Sequence, residues 1–207
     1  MTDTHFDLEA LKGQYDYIAG IDEVGRGCLF GDVVAACVIM PLDLMIEGIT
    51  DSKKLSPKKR ALYEDAILSE AVVYGYGRET PEVIDRINIK QATRLAMKSA
   101  AEEVLDQGFR DKSILFLIDA ETIDLDIPQQ GVIHGDDISY TIACASILAK
   151  EYRDRLCLQW EEAYPGYGIA GHKGYGTKKH REAILELGPS PMHRRSFLTK
   201  ILAHREG

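Results

Sequence analysis

The sequence predicts an α/β fold: a mixed central sheet flanked by helices, with a small helical lobe at the C-terminus. Three observations carry this. Two short apolar runs, 17–21 and 33–40, come early with no helical pattern between them, which suits neighbouring strands. Helical and strand patterns then alternate, and the run 114–118 is short and wholly apolar, as in a strand buried on both faces. From Tyr164 onward the texture changes, with Gly166, Gly168, Gly171, Gly174 and Gly176 punctuating a basic segment. A chain of 207 residues suits one compact domain with a small appendage, and the expected division is a core over 1–163 and a lobe over 164–207 packed on it.

The first strand runs straight into two adjacent carboxylates, Asp22 and Glu23, and then into Gly25-Arg26-Gly27. The second, rich in β-branched residues, is closed by Pro41, which cannot extend a ladder. Residues 50–55 read as a polar loop. Ser56 then offers an N-cap and Pro57 a first helical residue, so a helix is expected to about Ser69. A third strand, weakened by its glycines, is expected over 71–78. Thr80-Pro81 repeats the helix-start signal. Ala92, Leu95, Ala96, Ala100 and Val104 follow helical spacing from Ile89 until Gly108 stops the run. The strand at 114–118 ends at Asp119 and is followed by a polar loop, a brief strand at Val132-Ile133, and His134-Gly135-Asp136-Asp137. A long helix comes next, with Ile142, Ala145, Ala149, Tyr152 and Leu156 inward, and the tail holds one more over 177–187, stopped by Gly188-Pro189.

Composition is that of an ordinary globular protein, and no apolar run reaches membrane-spanning length. The first residues show neither a basic leader nor an apolar core, so a cytoplasmic protein with no membrane partner is expected. Cys28, Cys37, Cys144 and Cys157 lack CxxC spacing and read as buried free thiols. His172, His180 and His193 lack zinc spacing. A net charge of −8 argues against a nucleic-acid partner by its sum. Its distribution is different: basic residues gather at Lys53, Lys54, Lys58, Lys59 and Arg60, at Lys173, Lys178, Lys179 and Arg181, and at Arg194 and Arg195. They are either solvated charges or, if the fold gathers them, a basic track.

Three segments place carboxylates at or just beyond strand ends: Asp22 and Glu23, Asp119, and Asp136. In open α/β sheets, sites form outside the carboxyl ends of the strands. Crowded acidic oxygens there are tolerable when a cation neutralises them, and hard oxygen donors suit Mg²⁺ or Mn²⁺. Other readings remain open residue by residue. Asp22 can simply end a strand. Glu23 follows it directly, and because side chains alternate, both reach one site only if the backbone turns there. Asp119 can be a buried hydrogen-bonded group, and either Asp136 or Asp137 can cap the following helix. Asp124 and Asp126 read as solvated loop residues.

The ordered set IDEVGRG (21–27), DSKKLS (51–56), the apolar strand ending in Asp119, GD (135–136) before ASILAK (145–150), HKGYGT (172–177) and HRRSF (193–197) resembles ribonuclease HII, the bacterial type 2 ribonuclease H, from about Ile18 to Phe197. The resemblance implies a ribonuclease H-like fold, with Asp22, Glu23, Asp119 and Asp136 as catalytic metal ligands for Mn²⁺ or Mg²⁺. Asp22 and Asp119 would hold the ions most directly, with Glu23 and Asp136 completing the set and orienting water. The implied substrates are RNA/DNA hybrids and duplex DNA carrying embedded ribonucleotides, cut to leave 5′-phosphate and 3′-hydroxyl ends. Gly25, Arg26 and Gly27 are implied as the segment that senses the ribose 2′-hydroxyl, the group that marks RNA. Tyr175 is implied to pack on the sugar across the RNA-to-DNA junction. Lys53, Lys54 and Lys173 would contact phosphates, with Arg194 and Arg195 doing the same or bracing the lobe.

The chain departs from the family pattern at Cys28 and Phe30, where the turn usually reads GRGPLAG, at Ala120, where Asp-Gly is usual, and at Ile138, where a basic residue is common. Cys28 removes a rigidifying proline and Phe30 is expected to stand bulky beside the site. Two other functions compete: a DNA-cutting relative on the same fold, and a hybrid-binding protein without catalysis. The GRG and GYG segments argue against the first, and the full set of carboxylates against the second. A monomer is expected, and the tail 198–207 shows no docking motif for a protein partner.

Overall fold

Five strands form one mixed sheet in the order β3-β2-β1-β4-β5, in a computed structural model that describes residues 5–203. The expectations about a leader and a docking tail rest partly on residues 1–4 and 204–207, outside that range. The strands are β1 (Tyr17–Val24), β2 (Val33–Ile39), β3 (Val73–Glu79), β4 (Ile114–Asp119) and β5 (Gln129–Val132). β1 pairs antiparallel with β2, and β2 with β3, whereas β4 lies parallel to both β1 and β5. The helices are α1 (His5–Leu11), α2 (Pro57–Glu70), α3 (Pro81–Ile87), α4 (Ile89–Val104), α5 (Gly135–Ile138), α6 (Tyr140–Ala163), α7 (Ile169–His172), α8 (Lys178–Leu187) and α9 (Arg195–Leu202).

Alternation along each strand sorts its apolar residues onto two faces. Ala19, Ile21, Val33, Cys37 and Phe116 pack with Ala96, Met97 and Ala100 of α4 on one side. Ala36 and Val38 pack with Tyr140, Cys144 and Ile147 of α6 on the other. The second contact is so close that a Cβ on Gly20 would stand 2.2 Å from the carbonyl carbon of Thr141, so only glycine fits. The long helix is set by polar caps: Ser139 accepts from the Ile142 amide at 3.2 Å, and buried Asp7 accepts from the Thr141 amide at 2.9 Å.

Three boundaries differ from expectation for local reasons. β5 begins at Gln129 rather than Val132 because the Gln129 amide group bonds both backbone groups of Ile123, fixing the loop before it. The expected single helix after Asp137 is broken at Ser139, an N-cap, which leaves α5 as a separate turn. β3 starts two residues late, at Val73. The C-terminal segment meets the core through Phe30, whose buried ring packs with Cys157, Trp160, Tyr164, Ile169 and Tyr167. Phe30 therefore does not crowd the site; it anchors the junction. Among the described residues no helix is long and apolar enough to cross a membrane.

Candidate active site

The pairing of Ile21 with Ile118 on parallel strands makes Asp22 and Asp119 emerge side by side at the same end of the sheet. One carboxylate oxygen from each of Asp22, Glu23 and Asp119 lies within 4.8 Å of the others. The backbone does not turn to achieve this. β1 stays in register with β2 through Val24. Instead the short Asp22 side chain curls forward to accept the Glu23 amide at 2.7 Å, and the longer Glu23 side chain swings to meet it. The turn comes only at Gly25, whose φ of 92° and contact with Arg153, 2.3 Å from an added Cβ to Nε, both demand glycine.

This cluster is electrostatically unfinished. Burial, and then the charges of Glu23 and Asp119, push the Asp22 carboxyl well above its ordinary range. Burial raises Glu23 against the opposing pull of Arg26, which donates to it at 3.2 Å. Burial also raises Asp119, although the Gly135 amide donates to it at 2.7 Å. Glu23 Oε2 is buried with no hydrogen-bond partner. An all-oxygen donor set with an orphaned acceptor fits a hard divalent cation, which would reverse each of these shifts. Asp136 stands outside the tight trio. It lies near enough to raise Asp119, and Lys53 donates to it at 3.2 Å.

The implied substrate residues converge beside these carboxylates. The Tyr175 ring lies 4.0 Å from where a Cβ on Gly27 would be, and is 45% exposed. Arg26 turns back onto Glu23. Lys54 pairs with Asp137, and Asp124 and Asp126 are exposed as expected. The Lys173 carbonyl accepts from the Cys28 thiol at 3.4 Å, so the cysteine that replaces the family's proline ties the turn to the tyrosine loop. The basic track loses two members. Arg60 is buried against Glu151 and Asp154, and Arg194 is fully buried, donating to the carbonyls of Gly31 at 2.9 Å and Arg26 at 2.9 Å. Arg194 is thus a brace and not a phosphate contact.

Sequence reading missed other positioning groups. Arg153 donates to the carbonyls of Asp32 at 3.0 Å, Phe30 at 3.0 Å and Lys173 at 2.8 Å, joining the stretch between β1 and β2 to the tyrosine loop. Its sequence signal is its place four residues after Ala149 on the buried stripe of α6. Ser146, also on α6, counters the rise of the Asp22 carboxyl, and its hydroxyl lies 2.9 Å from Ser52 Oγ. The three histidines, which lack zinc spacing, form a group of their own beside Phe30, with His180 and His193 buried and His172 half-buried.

Solved structures share this architecture. The ribonuclease H2 of Pyrococcus horikoshii matches with a TM-score of 0.74 at 22% identity, over 92% of this chain and 99% of that one. Bst-RNase HIII, solved in complex with Mn²⁺, matches with a TM-score of 0.76 at 17% identity, over 95% of this chain and 72% of that one. These likenesses establish the fold, and within it the grouped carboxylates offer an all-oxygen donor set of the kind that holds a divalent ion. The family described as Ribonuclease HII matches residues 19–200. Ribonuclease HII of Alkaliphilus metalliredigens is 58% identical over 91% of this chain and 93% of its own length, and that of Alkaliphilus oremlandii is 57% identical over 91% and 93%. The chain belongs to the ribonuclease HII family, and it is a metal-dependent endoribonuclease acting on RNA/DNA hybrids. Nicking at ribonucleotides embedded in DNA is that family's role.

Proposed function

We propose that Asp22, Glu23, Asp119 and Asp136 hold the divalent ions, either Mn²⁺ or Mg²⁺, and that the flanking loops select a ribonucleotide within a duplex. The observation that carries this is the trio of carboxylate oxygens within 4.8 Å, one from buried Asp22 and two from the half-buried Glu23 and Asp119, with Glu23 keeping an unpartnered oxygen. A divalent ion held by these carboxylates would supply the positive charge that lowers the pKa of an attacking water and stabilises a leaving 3′-oxygen. Glu23 Oε2, free of protein partners, accepts a hydrogen bond from that water and orients it. Lys53 holds Asp136 and offers its remaining donors to the scissile strand. The Gly25–Gly27 turn presents peptide groups to the ribose without side chains between them. Tyr175, exposed beside Gly27, packs on the sugar, and Lys54 and Lys173 contact phosphates.

In this reading residues 1–163 form the catalytic core and 164–207 a substrate-binding lobe packed on it. The protein acts as a cytoplasmic monomer. The donor set accepts either ion, so Mn²⁺ and Mg²⁺ titrations should both restore activity after chelation. The central test is a duplex carrying one ribonucleotide. Wild type with metal should nick on its 5′ side, leaving a 3′-hydroxyl, and Asp119→Asn should not. Equal cutting of an all-DNA duplex, or full activity in Asp119→Asn, would refute the proposal.

A further inference from the structure

The histidine group at the lobe junction ends on the backbone of Tyr175. Its hydrogen bonds have only one consistent direction. The Ser190 amide donates to His193 Nδ1 at 3.0 Å, and a peptide N–H can only donate, so Nδ1 carries no proton. The His193 proton is therefore on Nε2, which lies 3.2 Å from Nε2 of His180. That His180 nitrogen must accept, which leaves the His180 proton on Nδ1, 2.9 Å from the Tyr175 carbonyl. The same carbonyl accepts from the Thr177 amide at 2.8 Å. The third ring follows the same logic: the Gly174 amide donates to His172 Nδ1 at 3.2 Å, so His172 Nε2–H donates to the Tyr167 carbonyl at 2.8 Å. His172 stacks on His180 with ring centroids 4.3 Å apart.

The segment these rings hold is strained. Lys173 has a φ of 54° and Gly174 one of 83°, so the two residues before the tyrosine sit in the left-handed region. A non-glycine residue there persists only when its surroundings over-determine it. Here Arg153 and Cys28 hold the Lys173 carbonyl and the Leu29 amide holds that of Gly174, while the imidazoles of His172 and His180 hold the Gly174 amide and the Tyr175 carbonyl.

We propose that His193 and His180 act as a one-directional relay of neutral imidazoles that positions Tyr175 against the ribose-sensing turn, and so sets substrate binding without touching substrate. The relay is confined to the neutral state by geometry. A second proton on His193 Nδ1 would meet the Ser190 amide N–H, with the Ser190 hydroxyl 2.9 Å away the one group there that can turn to accept it, and one on His180 Nε2 would meet His193 Nε2–H, donor against donor. The groups facing the pair are His172 from α7, Tyr167 from the loop before it, Phe30 from the turn between β1 and β2, and Arg195 from α9. None is a carboxylate that would stabilise an imidazolium. Burial accordingly pulls both histidines down to about 4.

This inference rests on the role proposed for Tyr175, and its test separates the two. Nitrogen NMR of the full-length protein near neutral pH should show His180 protonated on Nδ1 and His193 on Nε2, a result independent of nuclease activity. In cleavage of the single-ribonucleotide duplex, His180→Leu should raise KM about tenfold with kcat within about twofold. His180→Asn, whose amide nitrogen occupies the Nδ1 position, should keep KM within about threefold of wild type. In a Tyr175→Ala background His180→Leu should add less than about twofold, because the two act through one contact. The opposite tautomers, a full tenfold effect in the Tyr175→Ala background, or an Asn variant as impaired as Leu would each overturn the relay. The correct tautomers with no KM effect from Tyr175→Ala itself would instead refute the role of the tyrosine, and the relay's function with it.

Discussion

The carboxylates at the ends of β1 and β4 and the imidazoles beside Phe30 are both polar clusters set largely out of solvent, yet they are completed in opposite ways. Around Asp22, Glu23 and Asp119, like charges crowd together, burial raises every carboxyl, and Glu23 Oε2 has no partner. Around His180 and His193, each ring nitrogen faces a protein donor or acceptor of the right kind. A cluster left short of positive charge is built to receive it from outside, whereas a cluster that satisfies itself is built to hold a shape. In the function proposed above, the first is the reactive end of the site and the second a scaffold for the surface that meets the sugar.

Substitution should separate these roles. The largest effect is expected from Asp119→Asn, which keeps an acceptor for the Gly135 amide but removes one charge from the cluster. Cleavage should fall roughly a thousandfold, about 4 kcal/mol of transition-state stabilisation. In the absence of metal the variant should be more stable than wild type, by on the order of 1 kcal/mol, since repulsion and desolvation are relieved. Loss of activity with a gain in denaturation midpoint is the signature to seek; a loss of both would mean that Asp119 is a structural residue.

The scaffold should behave conversely. Phe30 is fully buried and meets His193 edge-on at 4.8 Å. Phe30→Ala should destabilise by about 3–4 kcal/mol, read from urea unfolding, because the cavity opens where the lobe joins the core. A smaller effect follows from the imidazoles. Held neutral down to about 4 in the fold, they titrate near 6.5 when unfolded. Between those values the unfolded chain binds more protons, so stability should rise with pH across that window and level off above it. His193→Gln should flatten the slope measured between about pH 4.5 and 6.5. An unchanged slope would mean that the acid sensitivity arises elsewhere.

The same contrast explains how much of the molecule was legible in the chain. Asp22 and Asp119 each terminate an apolar strand, so their shared position at one end of a sheet follows from pattern alone, and the pairing of Ile21 with Ile118 realises it. Helix starts at Pro57 and Pro81 were legible because their caps are local. The braces were not. Arg153 and Arg194 work through carbonyls more than a hundred residues away, at Phe30 and Arg26, and nothing local announces such a partner. Arg153 left one trace, a charge on the inner stripe of α6, where Tyr152 instead sits half-buried and stacks on Tyr76 at 4.4 Å. The spacing of the histidines speaks only to metal ligation and says nothing about relays that run through main-chain groups.

The smallest effect sharpens the border between the two regions. Ala120 follows Asp119 directly and has a φ of 50°, the left-handed conformation that an L side chain adopts at a penalty of roughly 1–2 kcal/mol. Its amide is fixed by donation to the Val132 carbonyl at 2.9 Å, so the chain cannot relax away from that conformation without giving up the bond. Glycine at this place removes the penalty but gives back part of it through the freer unfolded chain. Ala120→Gly should therefore stabilise by about 0.5–1 kcal/mol, a rise of roughly 1–4 °C in Tm for a protein of this size. Because the Asp119 carboxylate is tethered independently by the Gly135 amide, kcat should stay within about twofold. A fall in Tm would show that the methyl group of Ala120 makes packing contacts worth more than its strained backbone, and a large fall in kcat that the strain itself aims Asp119 at the cluster.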